Sequence, residues 1–490
     1  MSLPPGTFVE HMDFGPGKVV QSLGSKVVVD FFGDEIECDI SELIPREYQG
    51  PKVQIVRPAS NQDKVSFRRA FEAVNLGVVP PDNSSLVKMS ISGDTIEREV
   101  QQSLNRAQRE GLCKVVFGDY GTGKSHYLHL VSVIARRCGW LVSYLEFDPK
   151  AVDPAKPHLV YREIMARLKF PARDDGSSTE GFYGLIGEIR KSWDKVRDLP
   201  LFKKSPWFKY GLETLRFFPH NDDPDYVGGC DWLAGQNVPV TGPGSIRALA
   251  RDKANINPRL LPNMPKVRDT AEIYAFHLAV VNEIAIALGY KGLLIILDEA
   301  EHVRGYNVRR KERANNFFDI LARTAHPPLG DAGEIPILND HGFSLPRYWE
   351  SGPHFALFVG LTEGDTFAYA YQELRDACVF LHDESDKIVL RPPSAKDYED
   401  WCCSFFESIY HHYPSQMALM ATKENIQTIV GFLGEEFGKY KENTVMRTWV
   451  KLACLVPSIL FVDRFRSIDD VTAIVKNAVN ELVGGYLPWE

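Results

Sequence analysis

An apolar run that ends in a glycine-rich, lysine-bearing loop constrains this chain more than any other stretch. Val115, Val116 and Phe117 lead into GDYGTGKS at 118–125, and Gly118, Gly123, Lys124 and Ser125 fit G-x-x-x-x-G-K-[ST] at every position. The pattern is that of a polyphosphate cradle. Its glycines let backbone N–H groups converge on phosphate oxygens. Lys124 would reach the β- and γ-phosphates as a point charge, and the Ser125 hydroxyl would hold Mg²⁺. Asp119, Tyr120, Gly121, Thr122 and His126 complete the stretch expected to touch the nucleotide. Leu128, Val131 and Ala135 then recur at helical spacing, Arg136 and Arg137 suit the negative end of that helix, and Gly139 stops it. ATP with Mg²⁺ is the expected ligand.

A chain of 490 residues exceeds one ordinary domain. No apolar run approaches the roughly 18 residues that span a bilayer, and the first residues lack a charged and apolar leader, so a cytoplasmic protein with no membrane partner is expected. The eight cysteines form no C-x-x-C pair, which points away from zinc and dithiol chemistry and toward reduced, buried thiols. A formal net charge of −9 excludes a surface coated in DNA-binding charge while leaving room for a local basic face.

Ahead of the loop, residues 7–11, 17–22, 26–31 and 35–39 read as four short strands separated by glycine turns. Prolines 45, 51 and 58 mark an extended linker. Residues 65–76 and 95–110 have helical spacing, and 140–147 reads as a strand ending at Asp148, either a metal-site acid or a turn former before Pro149. Strands alternating with helices imply a parallel α/β sheet whose ligand sits at the strands' carboxyl ends. Residues from about 171 to 265 read as an insertion of helices and loops, with Asp222, Asp223 and Asp225 as a solvated acidic loop. Residues 270–288 form a helix with Ile273, Phe276, Ala279 and Val280 on one side.

A second element follows at 293–297, an apolar strand with Asp298 and Glu299 at its end. Carboxylates closing a buried strand are costly without a partner, and Mg²⁺ on ATP is a suitable one. Asp298 is the expected metal residue and Glu299 the expected general base. Arg304, Arg309, Arg310 and Arg313 read as a charged exposed helix, or as the source of a finger toward a neighbouring copy's γ-phosphate in a homo-oligomer. Residues 355–361 form another strand whose end, Thr362, could sense the γ-phosphate. Residues 387–390 complete the sheet. The remainder is helical. Ser394 caps a first helix, others run near 423–438, 443–455 and 467–485, and Arg447 lies in a first turn, facing either a nucleotide phosphate or solvent.

Two resemblances follow from these residues. Gly6, Val9, His11, Phe14, Gly15, Gly17, Val19, Val29 and Phe31 resemble a Tudor-like or SH3-like barrel, which implies docking on another protein or on nucleic acid, with a purely stabilising cap as the alternative. From about 65 to 455 the chain resembles the P-loop ATP-binding proteins of BREX bacteriophage-exclusion systems, an AAA+-like branch related to origin-recognition proteins. RRAFEA at 68–73, GVVP at 77–80, GDYGTGKS at 118–125, VSY at 142–144, His158 with YRE at 161–163, WLAG at 232–235 and GYKGLLIILDE at 289–299 carry it. The chain departs from the family phrase after Glu299, where Ala300, Glu301, His302 and Val303 lead into the arginines.

The resemblance implies an AAA+-like P-loop NTPase sheet with a helical C-terminal lid behind the barrel. The expected domains are a barrel at 1–48, a linker at 49–64, an ATPase domain at 65–392 and a lid at 393–490. It implies an ATP hydrolase in an anti-phage complex, with double-stranded DNA and other defence-system proteins as partners. A nucleotide-gated assembly switch with little turnover is the alternative, and a small-molecule P-loop kinase fits the acidic pair less well.

Overall fold

The computed structural model describes residues 3–5, 7–11, 14–31, 34–45, 61–76, 87, 90–119, 121–148, 150–171, 181–218, 222–265, 270–326, 345–346, 348–349, 352–362, 387–391, 393–438, 446–462 and 466–484. It divides into two units, one of Met1–Gly93 with Pro393–Glu490 and the other of Asp94–Pro392.

The second unit is built on a six-stranded sheet of β6 (Leu112–Gly118), β7 (Leu141–Glu146), β8 (Leu168–Lys169), β9 (Leu293–Asp298), β10 (Ala356–Thr362) and β11 (Lys387–Val389). The order across it is β11-β6-β10-β9-β7-β8, and every pairing is parallel except that of β8 with β7. Counted in chain order, the five parallel strands stand 5-1-4-3-2, the arrangement of an AAA+-like P-loop sheet, with β10 inserted between the loop strand and the acidic strand. Every residue of β6, β9 and β10 is buried, which is why these segments read as unbroken apolar runs. Register then sets the site. Thr362 pairs with Gly118 and Glu146 with Asp298, so the phosphate loop, Thr362 and the acids share one edge.

Between β8 and β9 the described residues of the insertion form six α-helices, from Gly181–Lys191 to Ile246–Ala254. Pro200, Pro206 and Pro224 each open one, where a missing N–H costs nothing. The acidic cluster is a helix start, since Asp223 accepts from the Asp225 N–H at 2.9 Å. Helix Ala271–Ala287 is buried all round rather than on one side, because the insertion covers its outer face: Glu283 accepts from the Leu201 and Phe202 N–H groups at 3.0 Å each. Asp148 proves a turn former, its carboxylate accepting from the Lys150 N–H at 2.7 Å.

In the first unit, β1 (Phe8–His11), β2 (Gly15–Leu23), β3 (Lys26–Phe31), β4 (Asp34–Asp39) and β5 (Leu43–Pro45) form an antiparallel sheet in the order β4-β3-β2-β1-β5. The sequence reading found four of these. The fifth is a three-residue strand against β1, too short to show a period. Val9, Val19, Val27, Val29, Phe31, Cys38 and Leu43 fill its core.

The described α-helices of this unit include Asn61–Asn75, Ala395–His412, Lys423–Gly438, Met446–Val462 and Ile468–Gly484. Ser394 caps helix Ala395–His412 as expected, and Asp397 completes a capping box with it. Helix Met446–Val462 runs through Pro457 to a later end than expected, because Leu452, Ala453, Val456 and Leu460 are buried and outweigh the lost hydrogen bond. Helix Asn61–Asn75, grouped by sequence with the ATPase domain from residue 65, packs Phe71 against Phe405 and Phe461, and Phe67 against His412 and Tyr413, of the C-terminal helical segment instead. Its amphipathic face showed that it packs, and not against what.

Among the described residues no helix is long and apolar enough to cross a membrane, and none of the described cysteines is in a disulfide.

Candidate functional site

The loop after β6 turns on two left-handed glycines, Gly121 (φ 86°) and Gly123 (φ 91°), a conformation that a side chain would strain. Thr122 closes the turn by donating its N–H and hydroxyl to the Asp119 carbonyl at 3.1 and 2.8 Å. Gly118 leaves room for that hydroxyl, since a Cβ there would lie 2.3 Å from Thr122 Oγ1. Helix Lys124–Arg137 starts at Gly123 with no side-chain cap, so its first N–H groups are left for an anion. Ser125 stands in its first turn. His126 follows, its pKa pushed down to about 4 by burial and then by His129, so its ring is neutral. Tyr120 lies outside the described residues, as does the side chain of Arg447.

Lys124 is buried, and its Nζ meets three groups. Asp298 Oδ1 is at 3.5 Å, Glu301 Oε1 at 3.2 Å and Thr362 Oγ1, the acceptor of a Lys124 proton, at 2.9 Å. Residues from the starts and ends of four separate elements thus converge, and Lys124 and Asp298 could share one ligand. Asp298 is 1% exposed. Its Oδ2 accepts from the Tyr144 hydroxyl at 2.8 Å and its Oδ1 from the Glu299 N–H at 2.8 Å. Burial, and after it the Asp298 charge, raise the Tyr144 pKa far above the ordinary value, so this phenol stays a proton donor. The Tyr144 ring stacks on His129 with centroids 4.0 Å apart, which fixes the hydroxyl's aim.

The two acids at the end of β9 diverge. Glu299 has a left-handed backbone (φ 59°), and its carboxylate meets His302 Nε2 at 2.7 Å. Glu301 turns inward instead, 4% exposed, and accepts a hydrogen bond from the Thr362 hydroxyl as well as one from Lys124. Sequence reading missed Tyr144 and Glu301 as site residues. No local pattern marks them, since strand register supplies the first and the left-handed turn at Glu299 the second.

The Glu146 carboxyl is raised above its ordinary value by burial, then by Glu299 and Asp298, so the edge formed by β7 and β9 carries acid in excess. A cation would relieve that crowding. Among the described residues no group of three or more acids, histidines or cysteines could hold a metal ion. Two of the arginines beyond, Arg310 and Arg313, are engaged within the chain. Arg310 pairs with buried Asp153 at 3.1 Å and lies 3.6 Å above the Tyr306 ring, which fixes it in place. Arg313 donates to the Arg309 carbonyl at 3.2 Å.

Gly360 on β10 brings a first prediction. A Cβ there would lie 2.6 Å from Asp298 Oδ1 and 2.7 Å from Leu128 Cδ1. Gly360→Ala should therefore displace the Asp298 carboxylate and lower stability by about 1–3 kcal/mol. Thermal melting of the native and variant chains tests it, and equal melting points would show that the strand has slack at this position.

Residues 64–188, which hold β6, the phosphate loop, its helix and β7, match the family described as BREX system ATP-binding protein BrxC/D. The P-loop segment is thus similar to that of the family named from its residues above. No curated protein matches the chain. Among solved structures, the Walker-type ATPase of Pyrococcus abyssi matches at 12% identity, over 81% of this chain and 75% of that one, with a TM-score of 0.31.

Proposed function

We propose that this chain, whose P-loop segment is similar to that of the BREX ATP-binding proteins, is an Mg²⁺-dependent ATP hydrolase of an anti-phage defence complex. In this reading its nucleotide state governs engagement of double-stranded DNA or partner subunits. One observation carries the chemistry: the buried Lys124 ammonium lies within 3.5 Å of Asp298, Glu301 and Thr362 at the edge where the phosphate loop opens.

On binding, Lys124 would leave the carboxylates for the β- and γ-phosphates, while the N–H groups of the loop and of the first helical turn hold the phosphate oxygens. Ser125 and Asp298 are the residues that would hold Mg²⁺, which when bound offsets the charge that develops on the phosphates. Tyr144 keeps Asp298 oriented through its 2.8 Å hydrogen bond. Thr362 would hydrogen-bond the γ-phosphate or the attacking water, and a carboxylate from the segment after β9 would take the water's proton, a role the sequence gives to Glu299.

A nucleotide-gated assembly switch is the second reading. What favours it is that the Glu299 carboxylate is tied to His302 rather than turned toward Lys124. ATP turnover, measured on the full chain with Mg²⁺ and with or without double-stranded DNA, separates the two. Turnover that chelation abolishes and DNA raises is the expected result. Tight binding with no turnover in any condition would favour the switch, and absence of ATP binding would end both readings.

A further inference from the structure

Glu299 and Glu301 are the two carboxylates available after β9, and they stand in opposite situations. Glu299 follows a strand whose last residue captures its N–H, and its left-handed backbone turns the side chain outward. There it is 34% exposed and pairs with His302. Glu301 lies two residues on, in the 3-10 turn Ala300–Gly305 that this conformation starts. Its side chain is 5% exposed. Oε1 takes hydrogen bonds from both Lys124 and Thr362, while Oε2 is buried with no hydrogen-bond partner among the described residues.

A buried carboxylate oxygen without a donor is an unusual thing for a fold to keep. Among the described residues nothing supplies one. The donors that reach a phosphate site from outside are water molecules. When a triphosphate draws Lys124 away, Glu301 also loses one of the two donors on Oε1, and it keeps the Thr362 hydroxyl as its anchor. The carboxylate is then held by one fixed hydrogen bond and has lone pairs open toward the site. That is the condition of a general base waiting for its water.

We infer that Glu301, rather than Glu299, is the carboxylate that orients and deprotonates the attacking water, with Thr362 as its positioning residue. The inference rests on the ATPase reading given above. In the step, the water oxygen bonds to the γ-phosphorus and one of the water's protons passes to Glu301. The bond from that phosphorus to the bridging oxygen breaks, and its electron pair leaves with ADP. Glu301 afterwards returns the proton to solvent. Glu299 then has a different task, shaping the turn that delivers Glu301.

The test compares Glu301→Gln and Glu299→Gln in the full chain, with two readouts: Mg·ATP affinity from a fluorescent ATP analogue, and the single-turnover rate. Glu301→Gln removes one of the two acids that compete with phosphate for Lys124. It should bind ATP at least as tightly as the native chain while the turnover rate falls by about 100-fold or more. Glu299→Gln should lose at least about tenfold less. Glu301→Asp, which keeps the charge and shortens the reach, should also turn over slowly, and it serves if the glutamine variant does not fold. Trapping of ATP by Glu299→Gln alongside near-native turnover by either Glu301 variant would overturn the inference and leave the ATPase reading intact. A native chain that neither binds nor hydrolyses ATP would instead remove the reading beneath it.

Discussion

Lys124→Ala is expected both to abolish ATP turnover and to unfold more easily than the native chain by about 3–5 kcal/mol, the cost of leaving buried carboxylates without their cation. An exposed phosphate-loop lysine would give the first effect without the second. Here the Lys124 side chain is 8% exposed, and those of Asp298 and Glu301 are 1% and 5% exposed, so removing the lysine strands two buried acids. Adding Glu301→Gln to Lys124→Ala should therefore restore part of the loss, with a coupling of about 1–3 kcal/mol in a double-mutant cycle. Urea unfolding of the four chains measures it. Additive effects would show that Lys124 and Glu301 do not meet in solution, and the geometry on which the catalytic reading stands would fall with them.

The parts of this site that local chemistry writes into the chain were legible. The loop at 118–125 and the acids closing β9 each announce themselves in a few neighbouring residues, and the apolar runs at 293–297 and 355–361 mark strands buried on both faces. Thr362 was named from its place at a strand end, yet its nearness to Lys124 depends on β10 entering the sheet between β6 and β9, which no residue of β10 states. Tyr144 faces Asp298 for the same kind of reason. The identity of the inward acid was less accessible still. Two glutamates two residues apart differ only through the dihedral angle of the first, and a non-glycine residue at φ 59° is a choice made by the surrounding packing. Helix Asn61–Asn75 shows the matching limit at domain scale, since its apolar stripe could have served either unit.

The insertion's core predicts a marked acid sensitivity centred on one residue. His277, on helix Ala271–Ala287, is fully buried among Tyr161, Trp207, Phe208, Tyr274 and Phe276, with ring centroids 4.7–6.2 Å away. Neither of its ring nitrogens has a hydrogen-bond partner among the described residues. Burial alone pushes its pKa from 6.5 down to about 3. The folded chain therefore keeps this imidazole neutral where the unfolded chain protonates it, and between about pH 6.5 and 3 the unfolded state binds the extra proton. Stability must fall as the pH drops through that window and be unaffected by His277 above it. From pH 7 to pH 5 the loss from this single group is about 2 kcal/mol. His277→Phe keeps an aromatic ring and has nothing to protonate, so its stability should decline over the same interval by about 2 kcal/mol less than that of the native chain. Comparing the two slopes, rather than the absolute stabilities, removes both the packing cost of the larger ring and the contributions of the other histidines. Urea midpoints at pH 5, 6 and 7 supply those slopes. Parallel pH profiles for the two chains would mean that His277 finds a proton-accepting or solvated environment in the native state, contrary to the dry aromatic cage in which it sits.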